Sequence, residues 1–274
     1  MIDTHAHIYH PDESLYPMIE DPFRPPVGIG TIDHLRENCA EAGIEKVVLV
    51  QTGSAYRWDN RLLADTVRAN ADWIAGVCTL DPASSESPAE LERLHGDSNV
   101  RGVRIEPTRT NYPQYYHPGS VALWETAERL GIVVCAHVTT PYLDQLSELL
   151  ARFPGVVVVL DHAAYPKAPE GVGSETVLSV VDLARFKNLY VKLTFAVTGS
   201  EDDYPFHDMH GIVRKVMDAY GPARCKWGSG FPCEHWLKTA TYTEHLDLFR
   251  RELGLSEADK SAVLTDTATR IWFT

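Results

Sequence analysis

Residues 132–162 read IVVCAHVTTPYLDQLSELLARFPGVVVVLDH. Two continuously apolar, largely β-branched runs, 132–138 and 156–162, flank a segment, 143–153, of helical period. Apolar runs without polar alternation are the mark of strands buried on both faces of a parallel sheet, and a helix between two of them makes a βαβ unit. The same alternation continues outward in both directions. Strand-like runs fall at 2–8, 46–51, 74–79, 102–106, 189–194 and 225–229. Helical segments fall at 31–42, 60–70, 121–130, 176–186 and 207–220, with a C-terminal pair after Thr241 and Ser256. Eight such repeats in 274 residues predict an α/β fold, a (β/α)8 TIM barrel forming one domain over residues 1–274. A doubly wound open sheet is the alternative, but no G-x-G-x-x-G turn follows the first strand.

Local signals agree with this division. Thr31 stands ahead of Asp33-His34-Leu35, and Ser256 precedes Glu257-Ala258-Asp259, as N-caps do. Gly43, Gly131 and Gly221 follow helical runs where a terminating glycine is wanted. The Pro-rich stretch 11–26 reads as a long first loop over the barrel mouth. Composition is that of a globular protein, 44% hydrophobic and 23% charged. Against 38 Asp+Glu stand 25 Lys+Arg, a net charge of −13, which argues against a nucleic-acid partner because phosphate binding needs a positive face. An anionic small molecule held by one or two arginines remains compatible. No apolar stretch approaches the ~20 residues that span a bilayer, so no membrane partner is expected. The first strand begins directly after Met1, which points to a cytoplasmic protein. Cys39, Cys78, Cys135, Cys225 and Cys233 form no C-x-x-C pair and read as reduced, buried small hydrophobes. The outer helices do not choose between a monomer and a homodimer.

In a barrel of this kind chemistry sits at the C-terminal ends of the strands. His5 and His7 close the first run as Asp3-Thr4-His5-Ala6-His7, His137 closes the fifth and His162 the sixth. Two residues apart on a strand, His5 and His7 point to one face, into the barrel. One strand-end histidine is usually structural; four at the same end need partners or a function. Converging neutral imidazoles can hold a divalent metal at ~2.0–2.1 Å. Without one they relay protons or polarise a carbonyl.

This ordered set of histidines resembles the amidohydrolase superfamily, and within it the amidohydrolase-related branch of lactonases and decarboxylases. Val50-Gln51 followed by Tyr56 and Asp59-Asn60 is similar to the lactonases that open sugar lactones and 2-pyrone-4,6-dicarboxylate. So are Val100-Arg101-Gly102-Val103-Arg104, Tyr190-Val191-Lys192-Leu193 and Trp227-Gly228-Ser229-x-Phe231-Pro232. The resemblance implies hydrolysis of a small anionic or polyhydroxylated lactone. His5, His7 and His137 would hold one divalent metal, zinc or manganese, or polarise the carbonyl without metal; both modes stay open. His162 would carry protons.

One departure stands out. The branch ends its eighth strand Gly-Ser-Asp-Phe-Pro, with the aspartate activating water or ligating metal; here the run is Gly228-Ser229-Gly230-Phe231-Pro232. Gly230 marks a vacated base position, and general-base assistance is typically worth 10²–10⁴-fold, roughly 3–5 kcal/mol of barrier. Three accounts fit: a base-deleted form that holds substrate without turning it over, a base supplied by Glu234, His235, Asp202 or His210, or a barrel that has left hydrolysis. The competing functions are therefore a metal-dependent decarboxylase of an aromatic or muconate-type acid and a non-catalytic binding barrel.

For substrate binding, Arg104 closes the fourth strand on the side of Gly102 and offers a planar fork for a carboxylate, or else a structural ion pair. Arg101 is off that parity and faces outward. Lys192 is expected in a core ion pair with Asp161 or Glu106. Gln51 is placed to donate to a lactone oxygen or to cap backbone. Tyr9, Tyr16, Tyr56 and Trp58 form either a mouth lid or loop packing. In Tyr112-Pro113-Gln114-Tyr115-Tyr116-His117, Tyr115 or Tyr116 is placed to hydrogen-bond substrate. His34, His95 and His245 are expected on outer helices as surface residues. Neither a P-loop nor a G-x-S-x-G elbow is present, which argues against nucleotide use and a serine nucleophile.

Overall fold

The computed structural model describes residues 1–107, 114–237 and 239–274. Eight strands run parallel in the order of the chain: β1 Ile2–Ala6, β2 Lys46–Val50, β3 Ile74–Thr79, β4 Val100–Ile105, β5 Val133–Ala136, β6 Val158–Leu160, β7 Leu189–Lys192 and β8 Cys225–Lys226. The segment after β8 closes the ring onto β1: Thr4 N–H donates to Trp227 O (3.3 Å), Gly230 N–H to His5 O (2.8 Å) and His7 N–H to Phe231 O (2.9 Å). The expected (β/α)8 barrel is the observed fold.

The barrel interior is layered by chemistry. Ile2, Val48, Val50, Val77, Val133, Cys135 and Val159 form an apolar plug with Trp272 of the final helix Thr267–Trp272. Gly102 makes room for it. A Cβ there would lie 2.9 Å from Val133 O and 3.0 Å from the Trp272 ring, so any larger residue would push the indole out of the strand starts. Outside the sheet, a second and larger apolar cluster fills the space under the helices, among them Leu35, Leu63, Leu146, Val177 and Ile212.

Helices form where sequence signals place them, with termini explained by caps. Thr31 accepts from His34 N–H ahead of Ile32–Ala42, and Ser256 accepts from Asp259 N–H. Gly43 and Gly131 adopt the left-handed conformation that ends their helices; Gly221 follows Tyr220 at a positive φ too, φ 74° and ψ 147°. Thr241 and Glu244 complete a capping box. Among the longer helices the unexpected one is Ser87–Asp97, whose polar composition leaves few apolar positions to betray its period. β6 and β8 stop short of their expected ends because the chain turns sharply at Asp161 and bends after Lys226 to close the ring. No helix among the described residues is long and apolar enough to cross a membrane.

Candidate active site

Strict alternation from Ile2 would turn Thr4 and Ala6 inward. Instead β1 carries one extra residue between Asp3 and Ala6 relative to β2, and this bulge brings His5 and His7 to the inner face beside Ile2. Asp3 holds it. Its carboxylate accepts from His5 N–H (3.0 Å), Ser229 N–H (2.8 Å), Ser229 O–H (2.6 Å) and Tyr242 O–H (2.9 Å), tying the bulge to the segment after β8. A buried carboxylate with four donors is satisfied and rigid.

The two rings meet edge to face at 4.8 Å. His5 Nδ1 is 2.8 Å from Lys192 Nζ, and His7 Nδ1 is 2.9 Å from Val50 O. His137, one residue past β5, has Nδ1 3.3 Å from Glu106 Oε1 and Nε2 on the Tyr165 hydroxyl. His162 stands edge to face on His5 at 4.6 Å and stacks on Tyr165 at 4.8 Å. It gets there through an unusual turn. His162, Ala163, Ala164 and Tyr165 all have positive φ, 54°, 47°, 59° and 64°. Left-handed backbone costs roughly 1–2 kcal/mol per such residue, so this turn is held by its surroundings rather than by preference.

Below the imidazoles lies a closed set of buried charges. Lys192 Nζ pairs with Asp161 Oδ1 at 2.7 Å, and Arg104 Nε with Asp161 Oδ2 at 3.0 Å and Glu106 Oε1 at 3.4 Å. Burial would raise the Asp161 carboxyl, but Lys192 and Arg104 outweigh it and hold it below the usual carboxylate range. Burial, reinforced by these cations, pushes His5 well below its ordinary value; burial likewise lowers His162, against Asp161, and His137, against Glu106. At neutral pH these three rings are uncharged. The imidazoles and Arg104 line a cavity of about 580 Å³ including its mouth, with Ser54, Tyr165, Thr194, Gly230 and Trp236 among its other walls. His162 Nδ1, Ser54 Oγ and Thr194 Oγ1 have no hydrogen-bond partner among the described residues, so the wall keeps polar capacity for a ligand.

Among the described residues one group has donors close enough to hold a metal ion: His5, Asp161 and His162. It shares His5 with the expected set of His5, His7 and His137. His137 has both ring nitrogens engaged, on Glu106 and Tyr165, and His7 holds Val50 O. The group as built does not fit a divalent ion, because the Lys192 ammonium already lies against His5 and Asp161, and Arg104 against the other Asp161 oxygen. An added ion would face two cations in a buried site.

Other expected residues lie elsewhere. Gln51 gives its amide to Arg57 O (3.2 Å) and Asp59 O (2.8 Å), shaping the loop after β2 without lining the cavity. Tyr56 is buried, with its hydroxyl accepting from His10 N–H at 2.9 Å. Tyr115 is fully buried and does not line the cavity; Tyr112 and Pro113 lie outside the described residues. Tyr9, Tyr16 and Trp58 do not line it either. Tyr165 and Trp236 are aromatic walls of it, and Phe23 of the Pro-rich loop packs on Trp236 at 5.2 Å. Of the suggested replacement bases, Glu234 is exposed near His34, Asp202 and Asp208 hold one another's turn, His210 bonds Pro205 O and His235 stacks on Phe23; none lines the cavity. His245 is a correction: it is fully buried and bonds Ser229 O at 2.9 Å, with burial pushing it down to about 4. Lys192 pairs with Asp161 as expected, and additionally with His5. Tyr165, Trp236 and Asp3 are positions that sequence patterns did not single out as site residues.

Gly230 sits on the cavity wall at φ +69°. A Cβ there would meet Leu237 and Thr194 at 3.5 Å, ordinary contact, and Asp is among the side chains that tolerate left-handed backbone. An aspartate has room there, at the cost of holding a left-handed backbone.

L-fucono-1,5-lactonase of Burkholderia ambifaria is 26% identical over 84% of this chain and 80% of its own length. 4-Sulfomuconolactone hydrolase of Rhizobium radiobacter is 27% identical over 84% of this chain and 75% of its own. The structure of a probable 2-pyrone-4,6-dicarboxylic acid hydrolase from Acinetobacter baumannii with citric acid bound superposes with a TM-score of 0.83 at 19% identity, covering 100% of this chain and 99% of that one, a likeness of fold. The amidohydrolase family profile matches residues 2–274, and the chain belongs to that family.

Proposed function

We propose that this chain hydrolyses a small lactone, with water adding to the ring carbonyl inside the cavity. The observation that carries the reading is the meeting of His5, His7, His137 and His162, from three strands, around one cavity at one end of the barrel. Uncharged rings at that place donate to a developing oxyanion and accept protons from water. Relatives named for opening a fuconolactone and a sulfomuconolactone support the reaction class. The charge balance favours the polyhydroxylated substrates over the carboxylated ones. Arg104 is the charged side chain among the described cavity residues, and Asp161 and Glu106 already answer it. Hydroxyls of Ser54, Thr194 and Tyr165 suit a sugar-derived ring. Five free, buried cysteines support a reducing, cytoplasmic setting.

Hydrolysis rates on a panel of uncharged sugar lactones and carboxylated lactones, for this chain and for Gly230→Asp, test the reading. Opening of at least one lactone is expected, uncharged rings preferred, with Gly230→Asp at least about tenfold faster because it restores general-base assistance. No opening by the wild-type chain refutes it, whatever Gly230→Asp does.

A further inference from the structure

We infer that the two imidazoles of His5-Ala6-His7 are locked in opposite tautomers and act as a donor–acceptor pair without a metal, with the Lys192 ammonium standing where a bound cation would. This rests on the lactone-hydrolase reading and assigns its working groups.

The assignment follows from what each ring faces. An ammonium carries three donors and no acceptor, so Lys192 Nζ, 2.8 Å away, donates to His5 Nδ1. The ring proton of neutral His5 is then on Nε2. Two residues on, the partner of His7 Nδ1 is the Val50 carbonyl oxygen, which only accepts, at 2.9 Å. His7 therefore carries its proton on Nδ1 and its lone pair on Nε2. The same dipeptide spacing thus presents an N–H from one ring and a basic nitrogen from the next, 4.8 Å apart between ring centres, both on the cavity wall. A backbone carbonyl or charged group behind an imidazole fixes which nitrogen faces the chemistry.

In the wild type, where Gly230 offers no base, that pairing handles the water proton, more slowly than a carboxylate added by Gly230→Asp would. Water oxygen bonds to the lactone carbonyl carbon while one water proton passes to His7 Nε2, and the carbonyl π electrons move to oxygen, where His5 Nε2–H donates. The tetrahedral adduct then re-forms the carbonyl, the ring C–O bond breaks, and the departing oxygen takes the proton back from His7. The product is the open hydroxy acid, and both rings end as they began. Lys192 is a positioning residue in this scheme. Ion-paired to Asp161 at 2.7 Å, it fills the metal-like group of His5, Asp161 and His162 and makes His5 a donor instead of a ligand.

Two measurements on the intact chain decide it. Long-range ¹H–¹⁵N spectra of histidine-labelled protein, assigned with His5→Gln and His7→Gln, are expected to show His5 protonated on Nε2 and His7 on Nδ1. Zinc titration is expected to leave the wild type without stoichiometric metal, while Lys192→Met, which opens His5 Nδ1 and Asp161, takes up about one equivalent and shifts the His5 resonances. Matching tautomers on the two rings, or tight zinc in the wild type that perturbs His5 and His162, overturns the inference even if lactones are opened. Should Lys192→Met not fold, the wild-type spectra and titration still decide. Opposite tautomers in a chain that opens no lactone would instead refute the hydrolase reading and the catalytic use of the pair with it.

Discussion

Lys192 and Lys226 lie in register on adjacent strands, both fully buried, and they meet opposite surroundings. Lys192 has a carboxylate at 2.7 Å and an imidazole at 2.8 Å. Lys226 Nζ has no hydrogen-bond partner among the described residues and stands 5.0 Å over the Trp272 ring. Burial, aided by the neighbouring Lys192 charge, pushes Lys226 down to about 7. One side chain at equal burial is ion-paired in the polar layer and a half-neutral amine in the apolar one. The difference teaches that the site is made by partners arriving from other strands, since burial alone yields a lysine that tends to lose its charge.

The sharpest way to break this contrast is to make the same change at both positions. Lys192→Met strands Asp161 and His5, and should lower unfolding free energy by about 3–5 kcal/mol, read by urea denaturation. Lys226→Met leaves no partner behind and should raise stability near pH 7 by about 1–4 kcal/mol. The pH dependence sharpens it further. Between about 7 and 10.5 the unfolded lysine keeps a proton that folded Lys226 has released, so this group makes wild-type stability rise with pH across that window. In Lys226→Met the slope should be shallower by about 1.4 kcal/mol per pH unit. Equal effects of the two substitutions would erase the distinction.

Smaller effects follow within the polar layer. Tyr165→Phe removes the hydroxyl on His137 Nε2 and from the cavity wall, and should lower kcat/KM about tenfold, the equivalent of one hydrogen bond. Tyr56→Phe removes only an acceptor for His10 N–H and should leave kcat unchanged while costing at most about 1 kcal/mol of stability. A large loss of activity in Tyr56→Phe would return that residue to the substrate site.

The fold was legible because most strands are β-branched apolar runs, and runs such as 132–138 and 156–162 mean the same thing in any surroundings. The strand-end histidines were legible as a set for the same reason. How they are held was not. The bulge that turns His5 and His7 inward depends on Asp3 meeting Ser229 across the whole length of the chain. The left-handed turn that delivers His162 and Tyr165 is built on Ala163 and Ala164, which carry no glycine or asparagine signal. His245 looked like a helix-surface residue until the Ser229 carbonyl, sixteen residues earlier, claimed its ring. Gln51 and Tyr56 sit in the expected loop but turn toward backbone, a choice made by loop closure that residue type does not announce.

The most direct test of the account is the initial rate of lactone opening by the wild-type chain after exhaustive dialysis against chelator. The account predicts a rate unchanged from that of the undialysed protein on the lactone it prefers. A rate that vanishes with the chelator and returns in proportion to added zinc or manganese would contradict it.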